Sequence, residues 1–209
     1  TWLAMPGVDI SGRVLSISVA AGQTYAVGVA AGSGTIGKYA VQMDVAGAPR
    51  DITTVDWGSI DQRQVSGIAL SGPEAWYEVT ATRSGIFSVE ALFAAQGGAV
   101  SVEICDQQQR PLDAGSASAL GSRADAQVLS GQKLLVHVVG SNSHVDLRLT
   151  NLVSVLNGVA NVAGTAANDC FTYSAATGAL TVNGTAYSLV GANQVNFQGG
   201  AGSDKLTVE

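Results

Sequence analysis

The chain has 209 residues, of which 46% are hydrophobic and only 12% charged, against a usual charged share of roughly 25%. Its net charge of −6 and pI of 4.7 exclude the clustered Lys and Arg that nucleic-acid binding needs. Nor does the positive mean hydropathy indicate a membrane span, because no run reaches the roughly 18 apolar residues of a spanning helix.

Residues 1–47 read as strands only. Val14, Ile17 and Val19 precede the turn Ala21-Gly22-Gln23, and Tyr25, Val27 and Val29 then alternate with small residues. Tyr39, Val41, Met43 and Val45 form another alternating segment, since successive side chains leave opposite faces of a pleated strand. Thr1 falls inside such a pattern, so the chain is expected to be a piece of a longer one. Residues 48–57, after Ala46-Gly-Ala-Pro49, read as an extended linker.

From residue 58 the strand signals run without interruption to 152. Val65, Ile68 and Leu70 lead to Tyr77, Val79 and Ala81, then to Phe87, Val89 and Ala91 across a polar link. Val100, Val102 and Ile104 precede the polar turn Asp106-Gln-Gln-Gln-Arg-Pro111, and a Gly/Ser/Ala-rich loop spans 115–122. Ser130-Gly-Gln-Lys-Leu-Leu-Val-His-Val138 repeats the pattern of Ala21-Gly-Gln-Thr-Tyr-Ala-Val-Gly-Val29. A repeat of that kind makes residues 1–47 the C-terminal half of a unit whose complete copy occupies 58–152. Many short strands with regular turns and no helical period predict an all-β chain, an antiparallel, jelly-roll-like β-sandwich preceded by a half sandwich.

The order Glu74-Ala-Trp-Tyr-Glu-Val79, Ser84-Gly-Ile-Phe-Ser-Val89, Ser130-Gly-Gln132 and Val145-Asp-Leu-Arg-Leu149 resembles the bacterial pre-peptidase C-terminal domains. The acidic residue that the family places directly before the Trp is Ala75 here, with Glu74 one position earlier. What the resemblance implies is a packing unit of a secreted or cell-surface protein, because these motifs specify a fold better than an activity.

Residues 153–209 differ in character. Asn157-Gly158, Asn183-Gly184 and other Gly positions separate short strands, and Leu180 to Leu189 reads as a hairpin with the second pair as its Asn-Gly turn. Gly199-Gly-Ala-Gly-Ser-Asp-Lys-Leu-Thr207 fits the nine-residue pattern of calcium-binding parallel β-rolls, and Gly164-Thr-Ala-Ala-Asn-Asp-Cys-Phe-Thr172 fits it more loosely. The segment thus resembles the start of an RTX-like β-solenoid. The resemblance implies calcium as cofactor, with Asp204 and Asp169 as carboxylate ligands and Gly199, Gly200 and Gly202 curling backbone carbonyls toward the ion. Capping of a tight Gly-rich turn by the Asp is the other reading of the same residues.

Elsewhere the chemistry is sparse. His137 and His144 accompany no Gly-x-Ser-x-Gly elbow or His-Glu-x-x-His pair and read as structural or solvent-facing. Glu74, Glu78, Glu90 and Glu103 alternate with apolar neighbours and are expected on a solvated sheet face. Cys105 and Cys170 read as unpaired thiols, with an interdomain bridge as the alternative. Among the tryptophans Trp2, Trp57 and Trp76, the last lies opposite the Tyr77/Val79 face. It either packs a second layer or offers a ring for stacking on a sugar.

These readings predict a non-enzymatic structural or adhesion module of a large extracellular or cell-surface protein, with neighbouring repeats as partners and no nucleic acid. A carbohydrate- or protein-binding accessory module of a secreted hydrolase is the alternative.

Overall fold

Residues 49–70 and 72–209 are described by a computed structural model; the expected half sandwich at 1–47, including Trp2, lies outside them. Sixteen strands and a single turn of 3-10 helix at Ala95–Gly97 make up the described chain, so the all-β expectation holds.

The strands of the sandwich are β1 (Thr54–Ile60), β2 (Gln62–Ile68), β3 (Glu74–Ala81), β4 (Gly85–Leu92), β5 (Val100–Cys105), β6 (Pro111–Ala114), β7 (Ser116–Ser118), β8 (Gly121–Val128), β9 (Lys133–Gly140) and β10 (Val145–Leu156). One sheet has the order β1-β3-β9-β5-β6. In the other, β10 lies between β2 and β4, and β4 continues to β8 and β7. The period-2 pattern is what fills the space between them. Val79, Leu134, Val136, Val102 and Ile104 from the first sheet meet Phe87, Val89, Leu147 and Leu149 from the second, all fully buried. Each such side chain contributes about 1.5–3 kcal/mol on leaving water.

Two features depart from the sequence-based expectation. The extended linker is in part a strand, for β1 begins at Thr54 and pairs in parallel with β3 along the sheet edge, Val55 opposite Tyr77. The Gly/Ser/Ala-rich stretch expected as a loop contributes β7 and the start of β8. Small residues are compatible with an edge strand because half of its surroundings are solvent.

Beyond the sandwich come β11 (Val159–Ala163), β12 (Cys170–Ser174), β13 (Ala179–Val182), β14 (Thr185–Ser188), β15 (Gln194–Gln198) and β16 (Lys205–Val208). Both Asn-Gly pairs form two-residue turns, the second as expected, Asn157 and Asn183 having φ of 51° and 50° and the glycines after them 75° and 86°. Positive φ at both central residues is what a tight hairpin needs to match strand twist. The first turn joins β10 to β11 and the second joins β13 to β14.

Strands β12 and β13 are also antiparallel, Phe171 opposite Val182, and the other two pairings are parallel. Strand β15 lies beside β11 with Val159 opposite Gln194, and β16 lies beside β12 with Cys170 opposite Lys205. The chain therefore makes two coils, one stacked on the other, with a second apolar core that includes Phe171, Leu180, Val182, Val162 and Phe197.

The sandwich and the coils share one strand. The first part of β10 pairs with β2 and β4, while Val153–Leu156 pair with β11. Between them the register against β4 jumps, with Thr150 opposite Ser88 and Val153 opposite Ile86, so β10 carries one extra residue. Asn151 stabilises this bulge. It is 1% exposed; its backbone N–H donates to Asp61, its amide to the Ile86 carbonyl, and its side-chain oxygen accepts from Arg83. The expected boundary between residues 152 and 153 thus falls inside a continuous strand.

Candidate functional site

The nine-residue turns were the strongest chemical signal in the sequence, and the structure stacks one on the other. Gly164 donates its N–H to the Gln198 carbonyl, Lys205 to Asp169, and Ala201 to Thr165. Side chains continue the ladder: Asn196 donates to Asn161 Oδ1 at 2.9 Å, and Ser203 N–H to Asn168 Oδ1 at 2.8 Å. The glycines have a packing reason. A Cβ on Gly164 would overlap the Gly199 backbone, one on Gly199 the Asp204 carboxylate, and one on Gly200 or Gly202 the carbonyls of Thr165 or Ala167 in the coil alongside. Gly200 and Gly202 also hold φ of 94° and 109°, where side chains are strained.

The carboxylates are occupied by protein donors. Asp169, 3% exposed, accepts the Thr165 N–H at 2.7 Å, the Thr165 hydroxyl at 3.1 Å and the Asn183 amide at 2.6 Å. Asp204 lies one coil away, exposed, and accepts the Asp169 N–H at 2.9 Å. A calcium ion takes six to eight oxygens and repels N–H donors. Among the described residues no three His, Cys, Asp or Glu side chains converge on a point that could hold an ion. The residues as arranged do not fit calcium; they fit a hydrogen-bonded turn cap.

A second polar cluster was not legible from the sequence. Glu90, expected on a solvated face, is 7% exposed. The Arg148 Nε donates to it at 2.8 Å, the Thr185 hydroxyl at 3.1 Å, and Arg123 lies 3.7 Å from its other oxygen. The β13–β14 hairpin brings Thr185 onto the outer side of this sheet, where it also bonds Thr150 at 3.1 Å, and this cover removes Glu90 from water. Beside the cluster is a cleft of about 380 Å³ lined by Arg123, Asp125, Gln127, Tyr187 and Ser188 among others. Burial pushes the Tyr187 phenol up to about 12.

On the outer face of the other sheet, Trp76 packs a second layer. It is 6% exposed, with Cys105, Leu135 and Ile52 around it. His137 stacks on its ring at 3.7 Å, and the Arg50 guanidinium lies 5.5 Å from the ring centre. His137 is itself 9% exposed and held between Glu103 at 2.9 Å and Glu74 at 2.8 Å. Trp76 therefore has no free face for a sugar, and His137 and Glu74 are parts of a latch rather than a solvated surface. His144 is exposed, 3.8 Å from Asp146. Trp57 stacks on Tyr77 at 4.0 Å. Cys105 and Cys170 are both free thiols, the first buried with its pKa pushed up to about 12 by burial.

Arg50 forms an ion pair with Glu74 and, with His137, holds that carboxyl down to about 2 against an ordinary value of 4.5. A folded-state value below the unfolded one gives stability that is present above pH 4.5 and lost as pH falls toward 2. Comparison of urea midpoints over that window should show a shallower acid loss in Glu74→Gln than in the parent.

No family model matches the chain, and no curated protein matches it. Among solved structures it is similar to the pre-peptidase C-terminal domain of a collagenase from Bacillus anthracis, at 14% identity and a TM-score of 0.34 over 48% of this chain and 96% of that one. It is also similar to PliG of Aeromonas hydrophila, a periplasmic inhibitor of g-type lysozyme, at 13% identity and a TM-score of 0.32 over 47% of this chain and 98% of that one. Likeness at this level carries no function across. Among the described residues no helix is long and apolar enough to cross a membrane.

Proposed function

We propose that the chain is a non-catalytic structural module of a large secreted or cell-surface protein, in which a β-sandwich serves as the fixed end of an RTX-like coil stack. The observation that carries this reading is β10, which belongs to both parts, with the covered Glu90–Arg148–Thr185 cluster beside it. A joint made of one strand and a buried ion pair resists bending, which is what a spacer between an adhesive or catalytic unit and its anchor requires. On this reading the antiparallel strands β10 and β13 close one side of the first coil, as the ends of repeat stacks need closing.

Calcium remains the expectation of the family resemblance, while the filled coordination of Asp169 favours a cap that needs no ion. One experiment tests both points: thermal unfolding followed by near-ultraviolet dichroism of Trp57 and Trp76 and by hydrogen exchange of the Phe171 and Leu180 amides. A single coincident transition, identical in millimolar calcium and in chelator, is the expected result. Separate transitions would dissolve the joint, and a calcium-dependent rise would restore the metal reading.

A further inference from the structure

Asn157 and Asn183 hold the same turn dihedrals in different surroundings. The Asn183 side chain is tied at both ends. Its amide donates to Gln62 Oε1 and Asp169 Oδ1, each at 2.6 Å, and its oxygen accepts the Cys170 N–H at 2.8 Å. Asn157 is exposed, and among the described residues no hydrogen bond holds its side chain. The strand end before it is also in water, Val155 and Leu156 being 38% and 70% exposed.

An asparagine followed by glycine can modify itself, because no Cβ on the next residue shields that residue's backbone nitrogen. When a base in the solvent takes the proton of this nitrogen, the nitrogen forms a bond to the asparagine Cγ. The Cγ–Nδ2 bond breaks, and the amide nitrogen takes a proton from water and leaves as ammonia. Water then opens the five-membered imide at one of its two carbonyls. One opening leaves an aspartyl residue, the other an isoaspartyl residue whose chain runs through Cβ. One water is consumed and one ammonia released, with no change of oxidation state.

A closed turn forbids the first step. Turns of this hand hold ψ of the first central residue at about +30°. That places the glycine nitrogen on the far side of the Cα–C bond from the side chain, whereas ring closure needs both on one side. The rate at each pair is therefore set by how often its turn opens. We propose that Asn157 is a self-modification site at which the folded chain deamidates, and that its three bonds hold Asn183 inert. The β10–β11 turn opens by fraying exposed strand ends, whereas the β13–β14 turn must first release Gln62, Asp169 and Cys170. An isoaspartyl residue adds one atom to the backbone, so a two-residue turn no longer fits the paired strands and the tip of the β10–β11 hairpin stays open.

Peptide mapping by mass spectrometry after incubation in mildly alkaline buffer tests this. Relative to the urea-unfolded chain, conversion at position 157 should be slowed about tenfold. At position 183 it should be slowed at least about a hundredfold, since three hydrogen bonds break first. Gln62→Ala removes one of the three and should speed conversion at 183 about fivefold while leaving 157 unchanged. In the converted protein, hydrogen exchange should quicken at the Leu156 and Val159 amides and stay slow at Phe87 and Leu134. Equal rates at the two positions in the folded protein, or a folded chain that converts at 157 no faster than at 183 in Gln62→Ala, overturns the proposal. Unchanged exchange at Leu156 and Val159 after conversion overturns the opened hairpin.

Discussion

Glu90→Ala should destabilise the protein by about 3–5 kcal/mol, read as a lower urea midpoint at unchanged slope. Glu90 sits on β4 opposite Arg148 of β10 and Arg123 of β8, and these two side chains are only 11% and 17% exposed. Removing the carboxylate leaves Arg148 with a buried, uncompensated charge and deprives the Thr185 hydroxyl of one of its partners. The pair itself need not be strongly stabilising, because desolvating both charges offsets much of their attraction. Replacing both, as Glu90→Leu with Arg148→Met, should therefore recover most of the loss. A double variant as unstable as the two single losses summed would show that the residues act separately and that the cluster does not join the two parts of the protein.

Asp169→Ala should cost about 3 kcal/mol, since it strands several buried donors at once. The Thr165 N–H and the Asn183 amide both point at that carboxylate, and Asn183 is tied to Cys170 across the strand pair, donating its backbone N–H to the Cys170 carbonyl and accepting the Cys170 N–H on its side-chain oxygen. Asp169→Asn keeps an acceptor oxygen and should fall between. Asp204→Ala should lose about 1 kcal/mol, because its carboxylate is exposed and accepts a single N–H there. The same ranking is expected with or without calcium. Losses that appear only when calcium is present would mean that the carboxylates serve an ion after all.

The legible part of this fold was whatever alternation and turn chemistry determine locally. Tyr77, Val79, Phe87 and Val89 read as inward, and inward they are; Asn183-Gly184 reads as a hairpin turn and holds the dihedrals of one. What escaped depends on partners far along the chain. Glu90 has the spacing of a solvated residue and is buried only because a hairpin 95 residues later covers it. Trp76 and His137 alternate outward as expected, yet Arg50 and Ile52 from the approaching segment cover that face. The parallel pairing of β1 leaves no mark in composition. One long-range fact was there to be counted: Asp169 and Asp204 are 35 positions apart, as are Asn161 and Asn196, and a constant offset is the signature of one coil lying on the next.

The extra residue in β10 has a consequence for how this sequence can change. A strand has two sides and no third, so inserting or deleting one residue exchanges every downstream inside for an outside. The bulge at Asn151 sets the parity between the sandwich and the coils, as a reading frame sets codons. Losing one residue between Thr150 and Val153 would present the far end of β10 to β11 with its faces reversed. Single insertions and deletions at that point should be purged, while those in the loops on either side pass unnoticed. The two parts can then be recombined with other modules only together.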